Sequence, residues 1–138
     1  MSQSLDLRIL QPAHKDAVLE FAKRRLAERI PDASEREIAS WDARWRTESL
    51  DHYLGLGWSF AAYRGEQMVG FILGQPFLFF RGLTQTLWLE HVEAIDVSVR
   101  DVLIDCAQKW ARDKHLQCAL IEEEGGGLKE IKTARYTK

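Results

Sequence analysis

From Ser98 to Lys114, Val99, Val102, Leu103, Cys106, Ala107 and Trp110 fall on one stripe of a helical wheel, with Asp101, Asp105, Lys109 and Arg112 opposite. A helix of this kind has to lay its apolar stripe against another layer of structure. The flanking sequence supplies that layer. Thr84 to Ile95 reads as a long strand with bulky apolar residues on both faces, as in the centre of a sheet, and Gln117 to Ile121 reads as a buried strand. With 138 residues and 46% of them apolar, the chain can bury one good core and is too short for two ordinary domains. We read a single domain over 1–138, with a core over 1–122 and a glycine break and terminal strand over 123–138.

The N-terminal half repeats the alternation of periods. Leu5 to Leu10 alternate apolar and polar residues until Gln11-Pro12 stops them, which predicts a short strand. From Ala13 to Ile30, Val18, Ala22, Leu26 and Ile30 recur at four-residue spacing while Lys23, Arg24, Glu28 and Arg29 take the other side, an amphipathic helix ended near Pro31. Ser34 followed by Glu37 has the capping-box spacing, so a second helix is expected from Ser34 through Ile38, Trp41 and Trp45 toward His52. Between Trp58 and Gln75 the period changes to that of strands, two of them, joined by a tight turn at Arg64-Gly65-Glu66-Gln67. A loop is expected around Pro76 and Arg81-Gly82.

Bulk properties exclude several classes of function. Nineteen basic and 21 acidic residues give a formal charge of -2, without a basic stripe for nucleic acid or an acidic membrane surface. Small or neutral partners fit better. Cys106 and Cys118 match neither a disulfide framework nor a zinc ligand set, and His14, His91 and His115 are too scattered to suggest a metal site. The first residues contain no apolar stretch of the signal-peptide type, and no run reaches the length needed to cross a bilayer, so a soluble cytoplasmic protein is expected.

Strand, helix, helix, three strands, helix, strand is an α+β order that several folds share. The residues narrow it. Ala61 to Gly74, with a turn glycine, then an apolar pair and another glycine, resembles the second and third strands of the GNAT acetyltransferases. Leu87-Trp88-Leu89-Glu90-His91-Val92 is similar to their fourth strand, Val102 to Ala111 to the helix that follows, and Ala119 to Glu122 to the fifth strand. The resemblance covers most of Leu5 to Glu122 and implies a mixed, mostly antiparallel central sheet flanked by helices. It also implies a cofactor, acetyl-CoA, whose pantetheine arm lies where the fourth and fifth strands splay apart. The pyrophosphate would then rest on a glycine-rich turn opening the next helix.

That turn falls on Ile95, Asp96, Val97, Ser98, Val99 and Arg100, and none is glycine. Bare N–H groups at a helix start attract anions, and glycines let phosphates come close. Here Asp96 and Asp101 bring carboxylates and the valines bring bulk, so the positions that resemblance assigns to the cofactor, Val92, Ala94, Ser98, Val99 and Arg100, form a poor phosphate cradle. They make a better helix start, with Asp96 or Ser98 as N-cap and Asp101 in the acidic capping-box position after Ser98. Three glycines, Gly125 to Gly127, stand where the family has a further helix, and Tyr136 does not match that helix's tyrosine acid. The sheet is therefore expected to be short on that side, leaving an edge for a second subunit, or an exchanged terminal strand, to cover in a homodimer.

Moving an acetyl group to an amine requires removal of an ammonium proton, stabilisation of an oxyanion and release of a thiolate. Glu90, His91 and Glu93 on the central strand are the candidate catalytic residues. Strict alternation puts Glu90 and Val92 on one face and His91 and Glu93 on the other. The alternative is that Glu90 or His91 is a partly buried polar residue satisfied by hydrogen bonds. A backbone N–H near Val92 becomes an oxyanion donor if this strand bulges, as it does in the family. Trp41, Trp45 and Tyr53, with His52, lie in the segment that lines the acceptor pocket in such proteins; core packing is the alternative for the two tryptophans. Two functions remain: acetyl transfer to an amine of a small molecule or protein, or a non-catalytic GNAT-like binding or interaction module.

Overall fold

The computed structural model describes residues 5–41, 43, 45–77, 86–114, 116, 118–122 and 128–132. Strand β1 (Asp6–Ile9) leads through a 3-10 turn (Pro12–His14) into α1 (Lys15–Arg29), then α2 (Ala33–Ser40), α3 (Thr47–Leu54), β2 (Phe60–Arg64), β3 (Gln67–Phe77), β4 (Thr86–Ala94), α4 (Val97–Asp113), β5 (Cys118–Glu122) and β6 (Leu128–Lys132). The six strands form one sheet in chain order. Every neighbouring pair is antiparallel except β4 and β5, which α4 connects in parallel. Sequence and structure agree on an α+β fold with a mixed, mostly antiparallel sheet.

Each face of the sheet carries its own core. On one, Val18, Phe21, Ala22 and Leu26 of α1 and Leu50, Tyr53 and Leu54 of α3 pack on Ala61, Tyr63, Phe71 and Leu73. On the other, Val99, Leu103, Ala107 and Ala111 of α4 cover Phe60, Ala62, Val69, Ile72, Leu87 and Leu89. The stripe that makes α4 legible is the stripe it buries. Gly70 lets it approach closely, since a Cβ there would stand 2.8 Å from Val99 Cγ1 and 2.9 Å from Leu103 Cδ1. Among the described residues no helix is long and apolar enough to cross a membrane.

Three local expectations are corrected. The helix expected from Ser34 to His52 is two helices, and its N-cap is Asp32, whose carboxylate accepts from Glu35 N. A continuous helix would bury Trp41 and Trp45 together; instead Trp41 is 60% exposed and Trp45 is 4% exposed in the core. The break resets the helical phase so that Trp45 turns inward. Second, β3 runs through Pro76 without a loop. Gly74 turns its N–H toward Ser59 Oγ on the β2 side, and Pro76, two residues on, faces the same way, beyond the end of β2, where no ladder bond is lost. Third, Asp96 alone caps α4, so Asp101 does not stand in a capping-box position. The expected loop at Arg81-Gly82, the glycine break and Tyr136 lie outside the described residues.

Candidate functional site

The site is built on an irregularity of β4. Pairing with β3 runs from Leu73↔His91 directly to Gly74↔Leu89, so Glu90 is an extra residue, a β-bulge. A bulge resets the alternation of side chains. Before it, Leu87 and Leu89 face α4; after it, Val92 and Ala94 face α4 again, and Glu90, His91 and Glu93 all lie on the α1–α3 face. The expected division of these residues between two faces is therefore corrected.

Pairing between β4 and β5 stops where the bulge begins. It extends from Thr86↔Cys118 to Leu89↔Ile121. Among the described residues, His91–Ala94 has β3 on one side and no strand on the other. This stretch of β4 is therefore an open strand edge, and α4 starts just beyond it at Val97. A linear chain carrying amide groups can add to such an open strand edge.

Glu90 is buried, and it is not isolated. Tyr53 Oη and Gln75 Nε2 both donate to its Oε2. Gln75 Oε1 lies 2.8 Å from Nε2 of exposed His52. These contacts link α3, β3 and β4 in one polar chain ending on a carboxylate at the bulge. Tyr53, expected in an acceptor wall, is buried and donates to Glu90. Gln75 was missed in the sequence because its value comes only from the register that sets it beside Glu90.

Glu93 sits in a different environment. Arg29 grips it through two nitrogens, Nη1 to Oε2 at 2.7 Å and Nη2 to Oε1 at 3.3 Å. Arg25 Nε lies 3.5 Å from Oε2, and His91 Nε2 lies 3.3 Å from Oε1. Burial by itself would raise the carboxyl's pKa, but the hydrogen bonds and charges of His91 and Arg29 outweigh it and hold it down at about 2. His91 also lies against the Phe71 ring. The sequence reading set Arg29 on the solvent side of α1, whereas it reaches back to the sheet, and Arg25, one turn earlier, was overlooked.

At the start of α4, Asp96 Oδ1 accepts from Val99 N at 2.9 Å, and Arg100 N already bonds Asp96 O. Val99 therefore offers a ligand neither its N–H nor its side chain, which is fully buried under α4. Ser98 and Arg100 are exposed, and Val97, the first residue of α4, is 70% exposed. The open edge of β4 fits a pantetheine-like arm. The helix start fits a pyrophosphate poorly, because the cap occupies an N–H that an anion would use and adds a negative charge of its own.

No family model and no curated protein matches the sequence. Solved structures do match in shape. The chain superposes with a TM-score of 0.65 on a GNAT family acetyltransferase from Brucella melitensis in complex with acetyl-CoA, at 14% identity, covering 99% of this chain and 92% of that one. The score is again 0.65 for the PaiA N-acetyltransferase from Thermoplasma acidophilum in complex with coenzyme A, at 13% identity over 90% of this chain and 82% of that one. For a polyamine N-acetyltransferase from Drosophila melanogaster it is 0.62, at 10% identity over 87% and 76%. Six strands in this order, with one parallel pairing that ends at the bulge of the fourth, define a class: this is the GNAT fold. The chain is a divergent example of it, with a valine-bearing, Asp-capped helix start just beyond the end of β4.

Proposed function

We propose that the protein is a GNAT-type acyltransferase that moves an acetyl group from acetyl-CoA to an amine. The observation that carries this reading is the bulge at Glu90 coinciding with the end of β4–β5 pairing. It puts a buried carboxylate and an open strand edge at the same point. Acetyl-CoA, when bound, would supply the electrophilic carbonyl and the thiolate leaving group. Glu90, oriented by Tyr53 and Gln75, would take the proton from the attacking ammonium. Backbone N–H groups of β4 near Val92 would donate to the developing oxyanion. Glu93 is the weaker base candidate, since its lone pairs are engaged by Arg29 and its proton affinity is low.

A second reading, a non-catalytic GNAT-like binding module, is favoured by the Asp96 cap on Val99 N. Thermal melting with acetyl-CoA and with CoA separates the two. A ligand at one hundred times its dissociation constant stabilises a fold by about 2.7 kcal/mol, a clear rise in melting temperature. We expect such a rise, together with acetylation of a small panel of amines; unchanged melting at millimolar coenzyme overturns the transferase reading and leaves the binding module.

A further inference from the structure

We propose that β1 is a homodimerisation edge, at which two copies of this chain pair antiparallel about Leu7 and join their sheets into one. The claim is independent of either functional reading, and it concerns the opposite edge of the sheet from β6.

The hydrogen-bond phase of β1 comes first. Leu10 N donates to Ser59 O at 2.8 Å, and the pairs Ile9↔Phe60, Arg8↔Ala61, Leu7↔Ala62 and Asp6↔Tyr63 follow. In an antiparallel ladder, bonded and non-bonded pairs alternate. Arg8 and Asp6 therefore spend their backbone groups on β2. Leu5, Leu7 and Ile9 turn theirs outward, along an edge with no bulge between β1 and β2 and no proline or lysine within the strand.

The side chains of this strand are complementary to themselves. Pairing about Leu7 sets Leu7 opposite Leu7 of the other copy, Leu5 opposite Ile9, and Asp6 opposite Arg8. The outward groups of Leu5, Leu7 and Ile9 then make on the order of six backbone bonds. Asp6 and Arg8 meet at non-bonded positions, where side chains approach most closely. The two-fold axis stands perpendicular to the sheet, so each copy keeps its faces. Leu7 and Ile9, both 37% exposed and both on the α4 face beside Ala62 and Phe60, become one apolar strip across the junction. On the other face Arg8 already lies over the Tyr63 ring at 4.2 Å and bonds Asp6 at 2.7 Å, so its guanidinium is held ready for a second carboxylate. Shifting the register by one residue would set Leu7 opposite Arg8 and lose both the charge pairs and the bond phase.

Sedimentation equilibrium on the full chain, from micromolar to millimolar concentration, is the test. Wild type is expected to dimerise reversibly. Arg8→Asp makes all four facing charges acidic and should raise the dissociation constant at least tenfold; Asp6→Arg makes them all basic and should do the same. An equimolar mixture of these two variants restores both charge pairs and should associate as a heterodimer. Circular dichroism melts show whether each variant is folded, as expected for side chains this exposed. Three results overturn the proposal: a wild-type monomer mass at every concentration, a dimer indifferent to Arg8→Asp, or folded variants that fail to associate when mixed.

Discussion

Two carboxylates three residues apart on one strand are held in opposite ways. Glu93 is clamped by cations from α1, and its pKa lies near 2, below the ordinary value of 4.5. A depressed folded-state pKa means that the stabilisation is fully present above pH 4.5 and is lost as the pH falls toward 2. The shift corresponds to on the order of 3 kcal/mol. Glu93→Gln should therefore lower stability at neutral pH by a few kcal/mol, while the gap between variant and wild type closes between pH 4.5 and 2 in denaturant titrations. Glu90 instead accepts from two neutral donors, Tyr53 and Gln75. Glu90→Gln keeps the shape and a hydrogen-bond acceptor, so melting should change little while kcat falls by about 10² to 10⁴. Equal turnover by this variant would remove Glu90 as the base. Both acids were legible in the sequence as polar residues on an otherwise apolar strand; their division of labour was not, because Arg25, Arg29, Tyr53 and Gln75 arrive from elements distant in the chain.

At the scale of elements, α4 shows how a good helix start competes with an anion site. Asp96→Ala removes the acceptor on Val99 N and should cost about 1 kcal/mol in denaturant unfolding. Replacing Asp96 and Ser98 together by Gly exposes that N–H and removes a negative charge, so coenzyme affinity measured by calorimetry should rise although the fold is weakened. Unchanged or weaker binding would mean that the obstacle lies along the open edge of β4 itself. The strands carry their own constraint at Gly74, where a Cβ would stand 2.9 Å from Trp58 O and 3.3 Å from Leu87 Cδ1 and Leu89 Cδ2. Gly74→Ala should destabilise by about 1 to 3 kcal/mol, because a backbone carbonyl cannot rotate away as a side-chain tip can. The β2–β3 turn, by contrast, asks for its glycine through conformation, with φ of 63° at Gly65.

For the molecule as a whole, most of the element list follows from the local pattern of the chain. The four-residue spacing of Val18, Ala22 and Leu26, the stripe of α4 and the two-sided apolar character of β4 each state how much of an element must be buried, and the cores honour them. Where the local signal misled, a distant partner had decided the outcome. Trp45 was drawn inward with Leu50 and Tyr53, which broke the expected second helix, and Pro76 stayed in its strand because β2 had already ended. The sequence alone determined the fold class, a capped helix start at Asp96 or Ser98 and the absence of a glycine turn, since each depends on residues within a few positions of one another. Only the tertiary structure decided which acids share a face, because that rests on one extra residue in the β4 register, and a register exists only between strands.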